Sequence, residues 1–536
     1  MNFDEAIIQY PHLREYIDKV IEKVGKPPQY YEKPTRDLGH MKEVNIIYPT
    51  RGPLFVHVFI KNKIREYNVI EYVLTPEEKK AYDELITILL ELAPKLKIPE
   101  NDDEFSETIT KLIDEYTLNR PQTLAEKLQQ RKVYAEKETV EKFKYFAIRN
   151  LVKNGLLEPL LADEWIEDIH SFTVGNIYVV NKIFGMLKTN ITYSDERELV
   201  VFIKNLSERI GKPVSVSRPV VDGVLLDGSR INIVFADDVS IRGPSFTIRR
   251  FADKPPSCVQ LILWNTYSAL EMAYMWLALE NGMNVFVSGE TASGKTTALN
   301  AMLSFILPTQ KVLSAEDTPE VQPPQEVWQR LVSREVGPEE SRVTMFDILR
   351  VALRSRPNYI LVGEIRGKEA ATAFGAMQTG HSVMSTFHAA SVGKLIQRLT
   401  GDPINVPVRF VDNLHIAVIL QAVYYKGKFL RRCTAIEEIQ GYSKDIDGVI
   451  TRRVFEWNPI DDTHQFLGRN NSFILEDKIA ERQGFTDKRL IYNELDLRAR
   501  ILQKMADLKI VDYTQVKEII WSYYAGGLSA LPFRVD

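Results

Sequence analysis

The amino-acid sequence predicts an α/β protein with a parallel sheet in its C-terminal half and a smaller α+β region before it. Three observations support this prediction. After Cys258, amphipathic helices alternate with short apolar strands, which is typical of parallel strands joined by crossover helices. One of these strands runs into a glycine-rich loop that opens a helix. Between about 156 and 251, strand and hairpin signals surround a predicted helix.

Composition limits the classes of protein that the chain can belong to. It has 536 residues, 68 Lys+Arg against 72 Asp+Glu, and a formal net charge of -4. That length suggests about three or four domains, or two large ones. A hydrophobic content of 45% excludes global disorder, and the balanced charge disfavours a dedicated nucleic-acid binder. No apolar stretch reaches the roughly 18 residues of a membrane-spanning helix, so we expect any membrane role to be peripheral.

Residues 1–155 are predicted to be mainly helical with a strand insert. An amphipathic helix runs to Gly25, and two strands flank the turn at 49–53. A second helix begins with the capping pattern Thr75 and Glu78, and a third ends at Gly155. The first helix is either a docking surface for partners or ordinary packing, and the residues leave both open.

The next region, 156–251, is predicted to be an α+β domain. Strands flank a Phe-Gly turn, a helix follows, and Asp227-Gly228 marks a hairpin. Adjacent prolines at 255 and 256 disfavour both helix and strand pairing, so we place a linker at 252–258. The C-terminal domain is then 259–536.

The segment from Gly289 to Thr296 fits the pattern G-x-x-x-x-G-K-[ST], with a strand before it and a helix after it. Its glycines let backbone N–H groups face an anion, and the helix N-terminus adds positive potential. Lys295 is predicted to reach the β- and γ-phosphates of a nucleotide, and Thr296 to bind Mg²⁺. The predicted binding residues are Gly289, Glu290, Thr291, Ala292, Ser293, Gly294, Lys295, Thr296 and Thr297.

Acidic and histidine side chains follow other strands of the predicted sheet. Glu364 ends an apolar strand at the edge where ligands bind, and it is predicted to hold the metal. Glu316 ends the strand after the loop's helix, where it either orients the attacking water or belongs to a simple turn. His381 and His388 fall on one later strand and are predicted to sense the terminal phosphate.

Together these four elements, in this order, resemble the secretion ATPases of the type II/type IV superfamily. That family powers type II secretion, type IV pili, type IV secretion and the archaeal flagellum, or archaellum. Upstream, residues 166–191 look like the family's sensory-type (PAS-like) N-terminal domain. The resemblance implies a RecA-like P-loop ATPase domain in the C-terminal half. It also implies an N-terminal domain that covers the nucleotide and a homo-hexameric ring.

Individual residues match the family's motifs. Lys295 and Thr296 match the Walker A pair, and Glu364 matches the Walker B glutamate, so Thr296 and Glu364 are the implied Mg²⁺ ligands. The other implied catalytic residues are the acidic-box glutamate Glu316, the His-box pair His381 and His388, and the entry arginines Arg230, Arg242 and Arg249. An arginine suits contact with a phosphate because its fork is always charged and bidentate.

The branch of the family is indicated by what the sequence contains and lacks. Cys258 and Cys433 are too few for the tetracysteine module of bacterial type II secretion ATPases. The helical N-terminal region, the phrase GETASGKTT and the ending LDLRARILQKMADLKI look most like the archaellum motor ATPase. An archaeal type IV pilus or type II-like secretion ATPase is the alternative. A nucleotide-gated scaffold and a DNA-translocating ATPase are less favoured alternatives.

The resemblance also implies cofactors, partners and location. ATP and Mg²⁺ are the implied cofactors. The implied partners are a polytopic membrane platform protein and accessory cytoplasmic motor proteins, with no stable nucleic acid. The hexamer is expected in the cytoplasm, attached peripherally to the inner face of the cell membrane. Filament assembly is the expected work, and the sequence leaves rotation of the filament open.

Overall fold

The computed structural model describes residues 2–535 apart from 36, 37, 40, 42, 62, 98, 122–130, 226, 252, 253, 335–338 and 427. The chain divides into two compact units, Met1–Phe251 and Ala252–Asp536. Residues 252 and 253 of the predicted linker lie outside the described residues. Within the described ranges, no helix is both long and apolar enough to cross a bilayer.

The first unit is built on a mostly antiparallel sheet. Its order, over the described residues, is β1-β2-β3-β4-β9-β8-β7-β12-β11-β10. The strands are β1 (Gln29–Tyr30), β2 (Asn45–Pro49), β3 (Phe55–Lys61), β4 (Ile64–Ile70), β7 (Ile166–Ser171), β8 (Gly175–Asn181), β9 (Gly185–Tyr193), β10 (Val220–Val224), β11 (Arg230–Val234) and β12 (Ser245–Arg249), and the short pair β5 (Thr117–Leu118) and β6 (Val133–Tyr134) stands apart. The three predicted pairs β2/β3, β8/β9 and β10/β11 are confirmed as antiparallel hairpins.

The helices of this unit differ from prediction mainly at their ends. They are α1 (Phe3–Gln9), α2 (Pro11–Val24), α3 (Pro76–Leu92), α4 (Asp102–Tyr116), α5 (Lys137–Ala147), α6 (Glu158–Leu161) and α7 (Glu196–Arg209). The predicted first helix is two helices, because Pro11 lacks an N–H and starts a new one. Gly25 ends the second with a φ of 76°. The capping box of Thr75 and Glu78 is confirmed.

Packing explains the N-terminal helices. Ala6, Leu13 and Ile17 are buried against a cluster from the adjacent strands that includes Ile47 and Phe55. The apolar stripe of α1 and α2 is therefore buried inside the unit, which favours ordinary packing over docking for that stripe. A second cluster takes residues from both sides of the predicted boundary at 155/156. The likeness of 156–251 to a sensory-type domain stays a prediction.

The second unit contains a sheet that is parallel at one end and antiparallel at the other. Its order, over the described residues, is β15-β14-β16-β17-β13-β18-β19-β20-β21. The strands are β13 (Val285–Gly289), β14 (Val312–Glu316), β15 (Trp328–Val332), β16 (Tyr359–Ile365), β17 (Ser382–Phe387), β18 (Ile416–Tyr425), β19 (Lys428–Ser443), β20 (Gly448–Asn458) and β21 (Thr463–Phe466). The pairs from β15 to β18 are parallel, which confirms the α/β class, with a RecA-like C-terminal domain.

Helices cover both faces of this sheet. They are α8 (Cys258–Leu263), α9 (Ala269–Glu280), α10 (Lys295–Met302), α11 (Met345–Ser355), α12 (Glu369–Gln378), α13 (Val392–Thr400), α14 (Ile491–Asp507) and α15 (Tyr513–Gly526). Val285 and Val287 of β13 belong to one core, with α9 and the C-terminal helices. Phe286 points the other way and belongs to a second core, with α11 and α12. The central strand is thus buried on both faces, as its unbroken apolar sequence predicts.

The antiparallel extension β19–β21 was not predicted. Its strands carry many charged residues, because one face is partly open to solvent. The pairing of β19 with β20 also shifts register after Ile436 and after Ile439. Such bulges break the alternation of period two by which a strand is recognised.

Candidate functional site

Several sequence-predicted residues meet at one edge of the second unit's sheet. Parallel strands end at the same edge, so β13, β14, β16 and β17 bring their carboxyl ends together. Gly289 and Glu316 are the last residues of their strands, Glu364 is the last but one, and His388 follows its strand directly. The order of the sheet places β17 between β13 and the two acid-bearing strands.

The loop after β13 has the shape that its glycines allow. A Cβ on Gly289 would lie 2.3 Å from the carbonyl oxygen of Leu420, so this position requires glycine. Gly294 has a φ of 90° and is the residue before α10. Ala292 also has a positive φ, of 63°. The turn directs the start of α10 toward the sheet edge, where the N–H groups of its first turn lack helical partners.

Lys295 lies over this loop. Its ammonium donates to the carbonyl oxygens of Gly289, at 3.1 Å, and Glu290, at 2.9 Å. It also lies 3.5 Å from Nδ1 of His388. Burial lowers the pKa of Lys295, and the charge of Glu364 opposes that effect. The ammonium is therefore a partly desolvated cation held beside the glycine-rich loop.

Glu364 is the centre of a second polar group. Nε2 of His388 lies 2.7 Å from Oε1 of Glu364, and the guanidinium of Arg366 pairs with Oε2. Burial, followed by the charge of Lys295, lowers the pKa of His388, and the charge of Glu364 opposes that effect. A continuous polar path thus joins Lys295, His388, Glu364 and Arg366.

Glu316 occupies a different environment. Its side chain is fully buried, and Oε1 accepts hydrogen bonds from the backbone N–H groups of Glu320 and Val321, each at 2.7 Å. Among the described residues Oε2 accepts no hydrogen bond, and Nε of Arg330 lies 3.8 Å away. Burial raises the pKa of Glu316 to about 7, although these N–H groups and Arg330 lower it.

Glu316 and Glu364 lie on neighbouring strands, and a glycine lets them approach. A Cβ on Gly363 would lie 3.2 Å from Cγ of Glu316. The pairing of β16 with β17 shifts register at this glycine, and Thr386 donates to its carbonyl oxygen at 2.6 Å. The structure therefore brings two carboxylates of unlike environment to the same edge as the loop.

The structure does not bring His381 to this group. It precedes β17, whereas His388 follows it, and six strand residues separate the two by about 20 Å. Nδ1 of His381 instead lies 3.2 Å from the hydroxyl of Thr379. Within this unit His381 is at the opposite edge of the sheet from the loop.

The three predicted arginines belong to the first unit. Arg230 and Arg249 face each other on β11 and β12, and Nε of Arg249 lies 3.3 Å from the carboxylate of Asp168. Arg242 is exposed in the turn between these strands, where its carbonyl accepts from Thr173. Their predicted contact with phosphate stays a prediction.

Three arginines near the site were not predicted. Arg366 follows Glu364 by two residues, and that proximity is a signal that the sequence offered. Arg330 lies on β15, and Arg431 lies on β19, where Nε donates to the carbonyl of Ala292 at 2.9 Å. Those two contacts depend on strand order, which the local sequence does not encode.

The donor set is compatible with Mg²⁺. Among the described residues no three His, Cys, Asp or Glu side chains form a metal cluster. Thr296 is in the first turn of α10, and Glu364 lies at the end of β16, so one hydroxyl and one carboxylate are available at this edge. Mg²⁺ bound to a nucleotide commonly takes one or two protein oxygens and completes its shell with phosphate and water.

Comparison with known proteins gives the family. The model of the family described as "Type II/IV secretion system protein" matches residues 151–422. An uncharacterized protein of Methanocaldococcus jannaschii is 54% identical over 99% of this chain and 98% of its own length. A putative conjugal transfer protein of Mycobacterium tuberculosis is 27% identical over 46% of this chain and 71% of its own.

Among solved structures, the X-ray structure of the Legionella pneumophila ATPase DotB is similar at 18% identity and a TM-score of 0.38. It covers 68% of this chain and 94% of its own. The family model spans half of the chain and includes the loop with both carboxylates. The chain therefore belongs to the type II/IV secretion system protein family.

Proposed function

We propose that this chain is a motor ATPase that hydrolyses Mg-ATP and couples hydrolysis to filament assembly in the archaellum. The observation that carries the proposal is the meeting of Lys295, Glu364 and Glu316 at one sheet edge. The two carboxylates differ in environment: Glu364 is paired with His388 and Arg366, and Glu316 is buried with a pKa near neutrality. One carboxylate suits a metal, and the other suits proton transfer.

Binding of the phosphates is assigned to the loop and Lys295. In the structure the ammonium is held by two loop carbonyl oxygens, at 3.1 and 2.9 Å. A triphosphate seated in the loop offers stronger, charged acceptors to the same ammonium. The partly desolvated lysine is then compensated by the phosphate charge, so nucleotide binding relieves the cost of its burial.

The metal site is assigned to Thr296 and Glu364. Bound there, Mg²⁺ would offset negative charge on the phosphates of the nucleotide. Arg366 pairs with Oε2 of Glu364, while Oε1 lies 2.7 Å from Nε2 of His388 and accepts no hydrogen bond among the described residues, which leaves it available to a metal. Burial and the charge of Lys295 lower the pKa of His388, which favours the uncharged imidazole beside this carboxylate.

We assign Glu316 as the general base of the hydrolysis. It accepts a proton from the water that attacks the terminal phosphorus, while the bond to the leaving ADP oxygen breaks and ADP keeps the bonding electrons. Burial makes Glu316 a stronger base than an exposed glutamate. Two N–H groups bind Oε1, so we assign the proton to Oε2, which accepts no hydrogen bond among the described residues and has Nε of Arg330 3.8 Å away.

The rate of hydrolysis should depend on pH through Glu316. Only the carboxylate form accepts a proton, and its pKa of about 7 lies above the ordinary value for glutamate. We expect kcat to rise with pH through about 7 and to level off above it, with about a tenth of the plateau at pH 6. A profile of kcat from pH 5.5 to 8.5 at constant ionic strength measures this. A flat profile over that range would remove Glu316 as the base.

The mechanical part of the proposal is taken from the resemblance to the secretion ATPases. We assign a ring of six copies, in which Arg230, Arg242 or Arg249 offsets phosphate charge and the segment at Pro255 and Pro256 acts as a hinge. The ring acts on a polytopic membrane platform protein at the inner face of the cell membrane, with accessory cytoplasmic motor proteins. Filament rotation is included as a second output.

The archaellum is preferred over the alternative because the helical N-terminal region, the phrase GETASGKTT and the ending LDLRARILQKMADLKI look most like its motor ATPase. Residues 1–150 lie outside the family model, so they are where a branch-specific role would be encoded. The conjugal transfer relative favours secretion as the second candidate.

The test uses the purified full chain with Mg-ATP. We expect steady phosphate release over many turnovers, and six-fold rings by electron microscopy with a non-hydrolysed Mg-ATP analogue. A single turnover would instead show a nucleotide-gated scaffold, and stimulation by DNA would show a translocase. Co-purification from archaeal membranes then separates the archaellum platform from a pilus or secretion platform.

A further inference from the structure

The hairpin of β18 and β19 carries an exposed aromatic strip. We define the hairpin strip as Tyr424, Phe429 and Arg431. Tyr424 pairs across the hairpin with Phe429, and Ala422 pairs with Arg431, so these side chains share one face. The rings of Tyr424 and Phe429 are 5.3 Å apart at their centroids, and the guanidinium of Arg431 lies 5.8 Å from the Phe429 ring.

One end of the hairpin strip touches the phosphate-binding loop. Nε of Arg431 donates to the carbonyl of Ala292 at 2.9 Å. Cδ of Arg431 would be 3.2 Å from a Cβ on Gly294. β13 ends at Gly289, opposite Leu420, while β18 continues for five more residues to Tyr425. The strip therefore begins at the loop and continues outward past the edge of the sheet.

The position of the hairpin strip in the sheet indicates which end of a bound nucleotide would reach it. His388 and Glu364 follow or end β17 and β16, on one side of β13, and Lys295 reaches toward His388. β18 and β19 lie on the other side of β13. If the terminal phosphate of a nucleotide lies beside the carboxylates, the nucleoside end of that nucleotide points toward β18.

The chemistry of the strip suits a planar base. Tyr424 is 82% exposed and Phe429 is 48% exposed, which is unusual for two large rings in contact. Aromatic rings bind nucleobases by stacking on their faces, and an adjacent guanidinium adds a cation that stacks and contacts phosphate. A partner protein's side chain is the other occupant that such rings attract.

We propose that Tyr424 and Phe429 form the subsite for the nucleotide base, with Arg431 joining that subsite to the loop. This rests on the proposed function, because it needs a nucleotide whose phosphates occupy the loop. It goes beyond that function in assigning the base to a hairpin that none of the four sequence motifs includes.

The test measures affinity for two ligands with the full chain. ATP carries the base, and inorganic tripolyphosphate carries only the charge that the loop binds. We expect Tyr424→Ala and Phe429→Ala to weaken ATP binding about tenfold each, since a stacked base is lost. Binding of tripolyphosphate should be unchanged, and Tyr424→Phe should bind ATP as the wild type does. Tyr442→Ala, at the other end of β19, is the matched control and should change neither affinity.

Each contrary outcome has a distinct meaning. Wild-type affinity for ATP in both alanine variants would overturn the base subsite and leave the proposed function intact. Equal weakening of ATP and tripolyphosphate would also overturn it, because the rings would then act through the loop. A wild-type chain that binds neither ligand would overturn the proposed function, and the subsite with it.

Discussion

Lys295→Ala should lower kcat/KM for Mg-ATP by about 10²–10³-fold, the typical loss when one donor to developing phosphate charge is removed. The ammonium lies over the loop within 3.1 Å of two backbone carbonyl oxygens, and it is the cation placed to follow phosphate into that loop. Its removal leaves the phosphates without the lysine that lies over the loop. Steady-state phosphate release and nucleotide affinity measure the loss.

The same substitution should leave the fold stable. Burial lowers the pKa of Lys295, which means that the folded state disfavours its charge. Replacing it with alanine removes this unfavourable charge, so the thermal unfolding midpoint without nucleotide should not fall. In the wild type, Mg-ATP should raise that midpoint by mass action, and in the variant it should not.

Lys311→Ala is the matched control. Lys311 also donates to a backbone carbonyl, that of Ser355 at 2.7 Å, but it precedes β14 and so lies at the other edge of the sheet. Its loss should change neither affinity nor turnover. Wild-type turnover in Lys295→Ala would contradict the assignment of the loop itself.

The sequence predicted features that involve residues close together in the chain, and it did not predict contacts between residues far apart in the chain. The loop, its flanking strand and helix, and the capping box at Thr75 involve neighbours in sequence, and the structure has all of them. The contact between Arg431 and Ala292 spans 139 residues, and it exists only because β18 pairs with β13. No local pattern reports such a pairing.

The two histidines show a different limit. Both match a family motif, which suggested one shared role for His381 and His388. A strand advances about 3.3 Å per residue, so the segment between the two histidines is long enough to place them at opposite ends of a strand. The structure brings only His388 to Glu364. The spacing alone therefore places the two histidines at opposite ends of one strand, and their shared role in sensing the terminal phosphate stays a prediction.

The raised pKa of Glu316 could not be predicted from the sequence. In sequence, Glu316 and Glu364 are both glutamates at strand ends. Their difference arises because Glu316 is fully buried and accepts from the N–H groups of residues 320 and 321, whereas Glu364 has the Arg366 cation and His388 beside it. Burial and partners are properties of the folded chain, and they divide the roles that the sequence assigned only by resemblance.

Glu316→Gln should bind Mg-ATP with near wild-type affinity and lower kcat by about 10²–10⁴-fold, the usual contribution of a general base. The amide keeps the size of the carboxyl and keeps an oxygen to accept from the N–H groups of Glu320 and Val321. It cannot accept a proton, so the water loses its base. The rise of kcat with pH through about 7 should disappear with it.

A buried carboxyl elsewhere in the unit provides the control for Glu316→Gln. Burial also raises the pKa of Glu438. This carboxylate accepts hydrogen bonds from Tyr274, Ser472 and the N–H of Phe473. Glu438 lies on the antiparallel strand β19, far from the loop in sequence. Glu438→Gln therefore reports what loss of a buried carboxylate does to folding alone. We expect it to alter the unfolding midpoint while kcat keeps its rise with pH. If Glu316→Gln hydrolyses ATP at the wild-type rate, or if both variants lose turnover equally, Glu316 is not the base, and the raised pKa reflects burial without catalysis.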